Sequence, residues 1–386
     1  MYKKTIFVCL DGCGPEYIEQ SDTPNIDRMA TYGFCWIGHS VIPSVTNVNN
    51  VSIVTGSPPS VHGITSNYYY DRQSKQGVFM ESPDFLLTGT VLQRAKKGGL
   101  STAVLTTKDK LLRLLGKDVD TVISAESPPD WLLQTIGQPG HIYSAEINIW
   151  LFRALKVVLR EKNPDVVYIA TTDYMMHKYA PDAEESQAHI HALDKLFGEM
   201  LDEYDARMLL TADHGMSDKT VAVDLAQILR EEGIIAEVIP IIKDRYVVHH
   251  GNLGGAAYIY LDEKDIDEAV KILKECKGVE EVWLQTDAAE EFQLYKERIG
   301  DIFVLADRDC VFGGNAVAQT VRFAHSLPSN PSLRSRVNFV KGRFRLTVSL
   351  RSHGSRYESE TPIIGYGLKP PKQWENNFEI TLIDFF

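Results

Sequence analysis

The run Thr5-Ile6-Phe7-Val8-Cys9-Leu10 leads directly into Asp11-Gly12. A segment this short and apolar at successive positions reads as a strand buried on both faces. Residues 101–105, 166–170 and 208–211 repeat the pattern, and polar residues follow each closely. Helical patterns lie between them: residues 23–32, where Pro24 suits a first helical position, and residues 183–204, with apolar residues at helical spacing. Strands alternating with helices predict an α/β fold, its largely parallel central sheet covered by helices on both faces.

From residue 254 the reading changes to strand 256–261, helix 265–276, strand 279–284 and a second helix ending near 297. This predicts a smaller inserted α+β cap over residues 254–340, leaving 1–253 and 341–386 as the catalytic core. Residues 301–306 are open to assignment as a strand of either unit.

The chain has 386 residues and is 44% hydrophobic, enough for one large core and a second, smaller domain. Forty Lys and Arg stand against 52 Asp and Glu, a formal net charge of -12. Such a surface repels nucleic acid and acidic membranes, so an anionic small-molecule substrate needs a local cationic site. The apolar stretch before Asp11 is too short for a signal sequence, and no later stretch approaches a membrane span. Cys9, Cys13, Cys35, Cys276 and Cys310 are odd in number and scattered, which fits reduced thiols in the cytoplasm.

In an open α/β sheet, ligands bind beyond the carboxyl ends of the strands. Asp11, Asp173 and Asp213 each follow a predicted strand, and three carboxylates on one rim repel one another unless cations join them. His177 lies four residues after Asp173, on the same side of a helical turn, and His214 adjoins Asp213. His353 follows the strand-like residues 344–350. Nitrogen and carboxylate ligands without thiolate suit zinc and tolerate manganese or iron. Any one of these residues alone would be read as a cap or loop former; their joint pattern points to two divalent metal ions. His249 and His250 form a further histidine pair, left out of this set.

Residues 43–56 read as a loop entering a helix, with Thr46 near its start. As an ordinary residue Thr46 would be an N-cap. A hydroxyl there also sits where backbone amides and the helix dipole favour an anionic phosphoryl group.

These residues together resemble the alkaline phosphatase superfamily: the strand end at Asp11-Gly12, the Thr46 segment, Asp173 with His177, Thr211-Ala212-Asp213-His214-Gly215 and Ser352-His353-Gly354. The resemblance spans most of the core but not the predicted cap. It implies an alkaline-phosphatase-like core in which Thr46 is the nucleophile, passing through a phosphothreonine. It also implies one metal held by Asp11, Thr46, Asp213 and His214, and the other by Asp173, His177 and His353.

Within the superfamily the chain is most similar to the phosphonoacetate hydrolases. The similarity rests on Thr46-Asn47-Val48-Asn49-Asn50, Thr55-Gly56, Val61-His62-Gly63-Ile64, Asn67-Tyr68-Tyr69-Tyr70-Asp71 and Lys108-Asp109-Lys110-Leu111. It implies that Lys108 and Lys110 bind the substrate carboxylate and Asn67 a phosphoryl oxygen. Val48 stands where that family carries proline, a position with no chemical group in the reaction. Without the resemblance, Lys108 and Lys110 read as part of a solvated cluster with Asp109, Arg113 and Lys117.

The expected activity is hydrolysis of the carbon–phosphorus bond of phosphonoacetate or a related phosphonate, in a monomer or a homodimer. A nucleotide pyrophosphatase or phosphodiesterase would keep the metal ligands but use an oxygen leaving group. A sulfatase is disfavoured because the Thr46 segment lacks Cys-x-Pro-x-Arg. A metal-stabilised binding protein without activity is the alternative of another class.

Overall fold

The computed structural model describes residues 4–246, 250–313, 345–370 and 372–385. A seven-stranded sheet runs, edge to edge, Phe34–His39, Glu360–Tyr366, Ala206–Thr211, Lys4–Cys9, Val166–Ala170, Thr102–Thr106 and Thr121–Ser124. Lys4–Cys9 is parallel to both its neighbours, and parallel pairing continues out to Thr121–Ser124. Glu360–Tyr366 is antiparallel to the strands on either side of it. The opening stretch of sequence is thus the sheet's central strand. Its side chains are buried on both faces, as a continuous apolar run requires.

Alternation along that strand divides the core in two. Ile6 and Val8 pack with the helices Glu146–Glu161 and Glu184–Glu203. Phe7 and Cys9 pack with Thr46–Thr55, Val91–Lys97 and Asp109–Leu115 on the opposite face. The helix predicted over 23–32 runs Pro24–Tyr32, and no side chain of its own N-cap residue closes it. Buried Asp194 does so from the Glu184–Glu203 helix, accepting the amides of Asn25 at 3.0 Å and Ile26 at 2.7 Å. Its negative charge lies where the helix leaves N–H groups without partners.

A second sheet, antiparallel throughout, orders Ala236–Pro240, Ala256–Leu261, Ile302–Ala306 and Val279–Leu284. The helix Ile266–Glu275 buries Ala269 and Leu273 against it. Residues 302–306 therefore pair within the smaller sheet, which takes its first strand from ahead of residue 254. Residues 314–340 of the expected cap lie outside the described residues, and the division at 253 and 341 stays a proposal. A third sheet, Cys310–Phe312, Ser217–Val223 and Arg345–Ser352, carries the chain back to His353. Among the described residues no helix is long and apolar enough to cross a membrane.

Candidate active site

Cys9 stands level with Ala170 on one side and with Thr211 on the other, so three chains leave the sheet side by side. Asp11, Asp173 and Asp213 follow these ends and are all but inaccessible, 1%, 2% and 0% exposed. Gly12 makes their approach possible. It adopts φ +72°, and a Cβ there would lie 3.0 Å from the Cβ of Asp173. Its amide donates to Asp213 Oδ1 at 3.1 Å.

The six predicted Asp and His residues gather into two groups, Asp11 with Asp213 and His214, and Asp173 with His177 and His353. In each group the ligand atoms lie within 4.8 Å of one another. His177 follows Asp173 by one helical turn in Tyr174–Lys178, placing its Nε2 2.9 Å from Asp173 Oδ2.

Every histidine of the two groups presents Nδ1 to a backbone carbonyl: His177 to Arg351 at 2.7 Å, His214 to Gly215 at 2.9 Å and His353 to Ser44 at 2.8 Å. A carbonyl only accepts, so each Nδ1 carries the proton and each Nε2 keeps a lone pair for the cluster. This is how a protein orients imidazoles toward a metal. The rings of His214 and His353 stack at 3.6 Å, joining the two groups.

Burial, then repulsion from Asp173 and Asp213, raises the Asp11 carboxyl well above its ordinary range. Burial likewise pushes Asp213 up to about 7, against hydrogen bonds from Asp11 and Gly12 that lower it. Burial lowers His214, and it lowers His353 further with help from His214 and His177, so both rings are neutral. Asp11 Oδ2 is buried with no hydrogen-bond partner. Crowded carboxylates, neutral imidazoles and an orphaned oxygen fit two divalent cations, which would supply the missing positive charge.

Thr46 is the first residue of the helix Thr46–Thr55, with Val45 as its N-cap. The helix is buried all round and so cannot shift freely. Thr46 Oγ1 lies 3.3 Å from His214 Nε2 and 3.5 Å from Asp11 Oδ1. One turn on, Asn50 donates to Asp213 Oδ2 at 3.0 Å and accepts from the Tyr168 hydroxyl at 2.7 Å. The helix is thereby pinned to the strand that precedes Asp173.

Lys108 and Lys110 follow the strand Thr102–Thr106, which pairs directly with Val166–Ala170. Neither is solvated: Lys108 is 6% and Lys110 3% exposed. Lys108 Nζ lies 3.4 Å from Asp173 Oδ1. Burial works against its charge, but Asp173, Asp11 and Asp244 together hold its pKa above the ordinary value. Lys110 pairs with Asp244, to whose Oδ2 Asn67 Nδ2 also donates at 3.3 Å.

All the predicted residues thus meet in one buried region: Asp11, Thr46, Asn67, Lys108, Lys110, Asp173, His177, Asp213, His214 and His353. Sequence reading missed Ser44, Asn50, Arg351 and Asp244. Arg351 joins the Tyr174–Lys178 helix to the loop after His214, donating to the carbonyls of Met176 at 3.0 Å and Met216 at 2.8 Å. His249 lies outside the described residues. His250 is buried, its ring centroid 5.9 Å from that of His177.

The model of the type I phosphodiesterase / nucleotide pyrophosphatase family matches residues 5–326. A venom phosphodiesterase of Naja atra is 27% identical over 228 residues, 55% of this chain and 26% of the venom enzyme. One from Macrovipera lebetinus is 26% identical over 225 residues, so the chain spans about a quarter of the length of these curated relatives. Phosphonoacetate hydrolase from Sinorhizobium meliloti 1021, solved in complex with phosphonoacetate, is 34% identical. It superposes with a TM-score of 0.84 over 98% of this chain and 94% of that one. Murine ectonucleotide pyrophosphatase / phosphodiesterase 5, 17% identical with a TM-score of 0.66 over 98% and 93%, shares the fold. The chain belongs to the type I phosphodiesterase / nucleotide pyrophosphatase family, within the alkaline phosphatase superfamily.

Proposed function

We propose that this chain hydrolyses the carbon–phosphorus bond of phosphonoacetate to acetate and phosphate, with Thr46 as nucleophile. The observation that carries this reading is the burial of two ammonium groups, Lys108 and Lys110, beside the carboxylate and imidazole cluster. Buried lysines at the mouth of a phosphoryl-transfer site suit a substrate with a second anionic end, and lysine meets a carboxylate as a compact point charge. The Sinorhizobium meliloti enzyme, solved with phosphonoacetate bound, supports the choice.

Asp11, Thr46, Asp213 and His214 would hold one divalent cation, and Asp173, His177 and His353 the other, with zinc first and manganese or iron tolerated. Bound there, the cations would stabilise a Thr46 alkoxide and charge on the phosphoryl oxygens. Thr46 gives its hydroxyl proton to solvent and its Oγ1 attacks phosphorus in line; the oxygen–phosphorus bond forms and the phosphorus–carbon bond breaks. Asn67 and the first-turn amides of the Thr46–Thr55 helix donate to the phosphoryl oxygens. The electron pair left on carbon spreads onto the carboxylate, where Lys108 and Lys110 stabilise the enediolate, and a proton from water then gives acetate. A water next attacks phosphorus, the Thr46 Oγ1–phosphorus bond breaks, and phosphate leaves. The odd, scattered cysteines support a cytoplasmic setting.

Thr46→Ala tests the nucleophile. Metal-loaded wild type should release acetate and phosphate one to one. The variant should lose turnover by roughly 10⁴-fold or more while still binding metal. Comparable phosphate release from both proteins would remove Thr46 from this role.

The second reading, a phosphodiesterase, is favoured by the family description and the venom relatives. With a simple diester as substrate, Lys108 and Lys110 have no second anionic group to bind.

A further inference from the structure

Asp244 lies in the connection between Ala236–Pro240 and Ala256–Leu261, strands of the smaller sheet, yet its buried carboxylate reaches the lysine pair of the core. Oδ2 accepts from Lys110 Nζ and from Asn67 Nδ2, and Oδ1 accepts the amide of Tyr246 at 2.9 Å. The same connection lays Tyr246 over both cations, its ring centroid 5.6 Å from Lys108 Nζ and 5.4 Å from Lys110 Nζ. The Tyr246 hydroxyl is anchored on Glu126 at 2.7 Å. The backbone of Asp244 is fixed in turn, its amide donating to Asn252 Oδ1 at 3.1 Å.

Two consequences follow from the chemistry of a carboxylate. It can only accept, so it sets the Asn67 amide with the NH₂ group toward Asp244, leaving the second N–H for a phosphoryl oxygen. It also carries one negative charge, which offsets one of the two ammonium charges of the lysine pair. Although burial alone would raise it, Lys110, with His250 and Lys108, holds the Asp244 carboxyl well below the usual carboxylate range. Asp244 is therefore ionised at neutral pH.

We propose that Asp244 determines specificity here: held between Lys110 and Asn67, it cancels one of the two lysine charges and restricts the substrate's tail to a single carboxylate. The inference rests on Lys108 and Lys110 as the tail-binding cations. A substrate with a second carboxylate would meet Asp244 as a like charge in a buried setting, where repulsion is poorly screened.

The test compares binding of phosphonoacetate and 2-phosphonosuccinate, which adds a second carboxylate to the same skeleton, to metal-loaded protein by calorimetry in a Thr46→Ala background. The informative quantity is the ratio of the two dissociation constants, in which effects common to both anions cancel. Asp244→Asn should shift the ratio toward the dicarboxylate by at least roughly tenfold. Asp244→Asn with Lys110→Gln restores one net positive charge and should return the ratio to its starting value. Lys110→Gln alone should move it the opposite way, and carries the test should Asp244→Asn not fold. An unchanged ratio in Asp244→Asn would make Asp244 only a structural counter-ion and overturn the proposal. If wild type hydrolyses a nitrophenyl phosphodiester but neither binds nor cleaves phosphonoacetate, the functional reading falls and this inference with it.

Discussion

His353 Nδ1 donates to the carbonyl of Ser44 at 2.8 Å, joining a residue expected to bind metal to the loop that presents Thr46 two residues later. The Ser44 hydroxyl reinforces the link. It donates to the Ser355 carbonyl at 2.7 Å and accepts the Gly354 amide at 3.1 Å. The nucleophile segment and the segment carrying His353 are 309 residues apart in sequence but position one another directly. Ser44→Ala keeps the carbonyl and frees the 353–355 segment. It should weaken metal binding by about 10- to 100-fold, as loss of a group behind a ligand does. Titration against a chromophoric chelator checks this. Equal affinities would show that the backbone alone holds His353.

Chelation should destabilise the fold as well as stop turnover. Asp11, Asp173 and Asp213 are buried together, and burial first, then repulsion from neighbouring carboxylates, raises the carboxyls of Asp11 and Asp213. Removing cations that neutralise this charge costs stability through linkage. For a chain of this size the midpoint of thermal unfolding should fall by roughly 5–10 °C, and returning metal should restore it. A midpoint indifferent to chelator would place the cations elsewhere.

Away from the metal centre, His62 gives the chain an acid-sensitive element. It is fully buried, lies 2.8 Å from Ser52 Oγ through Nε2 and accepts the Ile64 amide at Nδ1. Burial, then Arg298, lowers its pKa from 6.5 to about 3. Below the higher value the unfolded chain takes up a proton that the folded chain refuses. Stability therefore falls as pH drops from 6.5 toward the folded-state value. Between pH 7 and 5.5 the loss from this residue should be about 1 kcal/mol. Denaturant titrations of His62→Gln at both pH values should show that much less pH dependence. An undiminished difference would remove His62 as its source.

The sheet and the candidate metal ligands were legible because each part leaves a local mark; their division into two groups came from the family resemblance. Buried strands are continuous apolar runs, and Asp11, Asp173 and Asp213 stand just past the ends of three that pair in parallel, while His353 follows an antiparallel strand of the third sheet. Residues 302–306 carried the same apolar mark, but a run of that kind does not name its partners. Pairing with Ala256–Leu261 and Val279–Leu284 assigned it to the smaller sheet. Ser44, Arg351 and Asp244 left no mark at all. Ser44 orients a histidine through a backbone carbonyl, which any residue type possesses. Arg351 works by reaching backbone carbonyls of two other segments, a helix and a loop. Asp244 sits in a connection without periodicity, and only the packing of the smaller sheet against the core sets it between Lys110 and Asn67. Lys108 and Lys110 fall between these cases: their spacing is visible, but in isolation it reads as a solvated cluster, and only the fold shows that they are buried.

Lys108 and Lys110 are proposed to make this a site for a carboxylated phosphonate. The most direct test is phosphate release from phosphonoacetate and hydrolysis of a nitrophenyl phosphodiester, compared in zinc-loaded wild type and Lys108→Ala. Wild type should prefer phosphonoacetate, and the variant should lose roughly 10- to 100-fold in kcat/KM for it, the worth of one charged contact, while diester hydrolysis changes little. Faster turnover of the diester by wild type, unaffected by the lysine substitution, would contradict this reading.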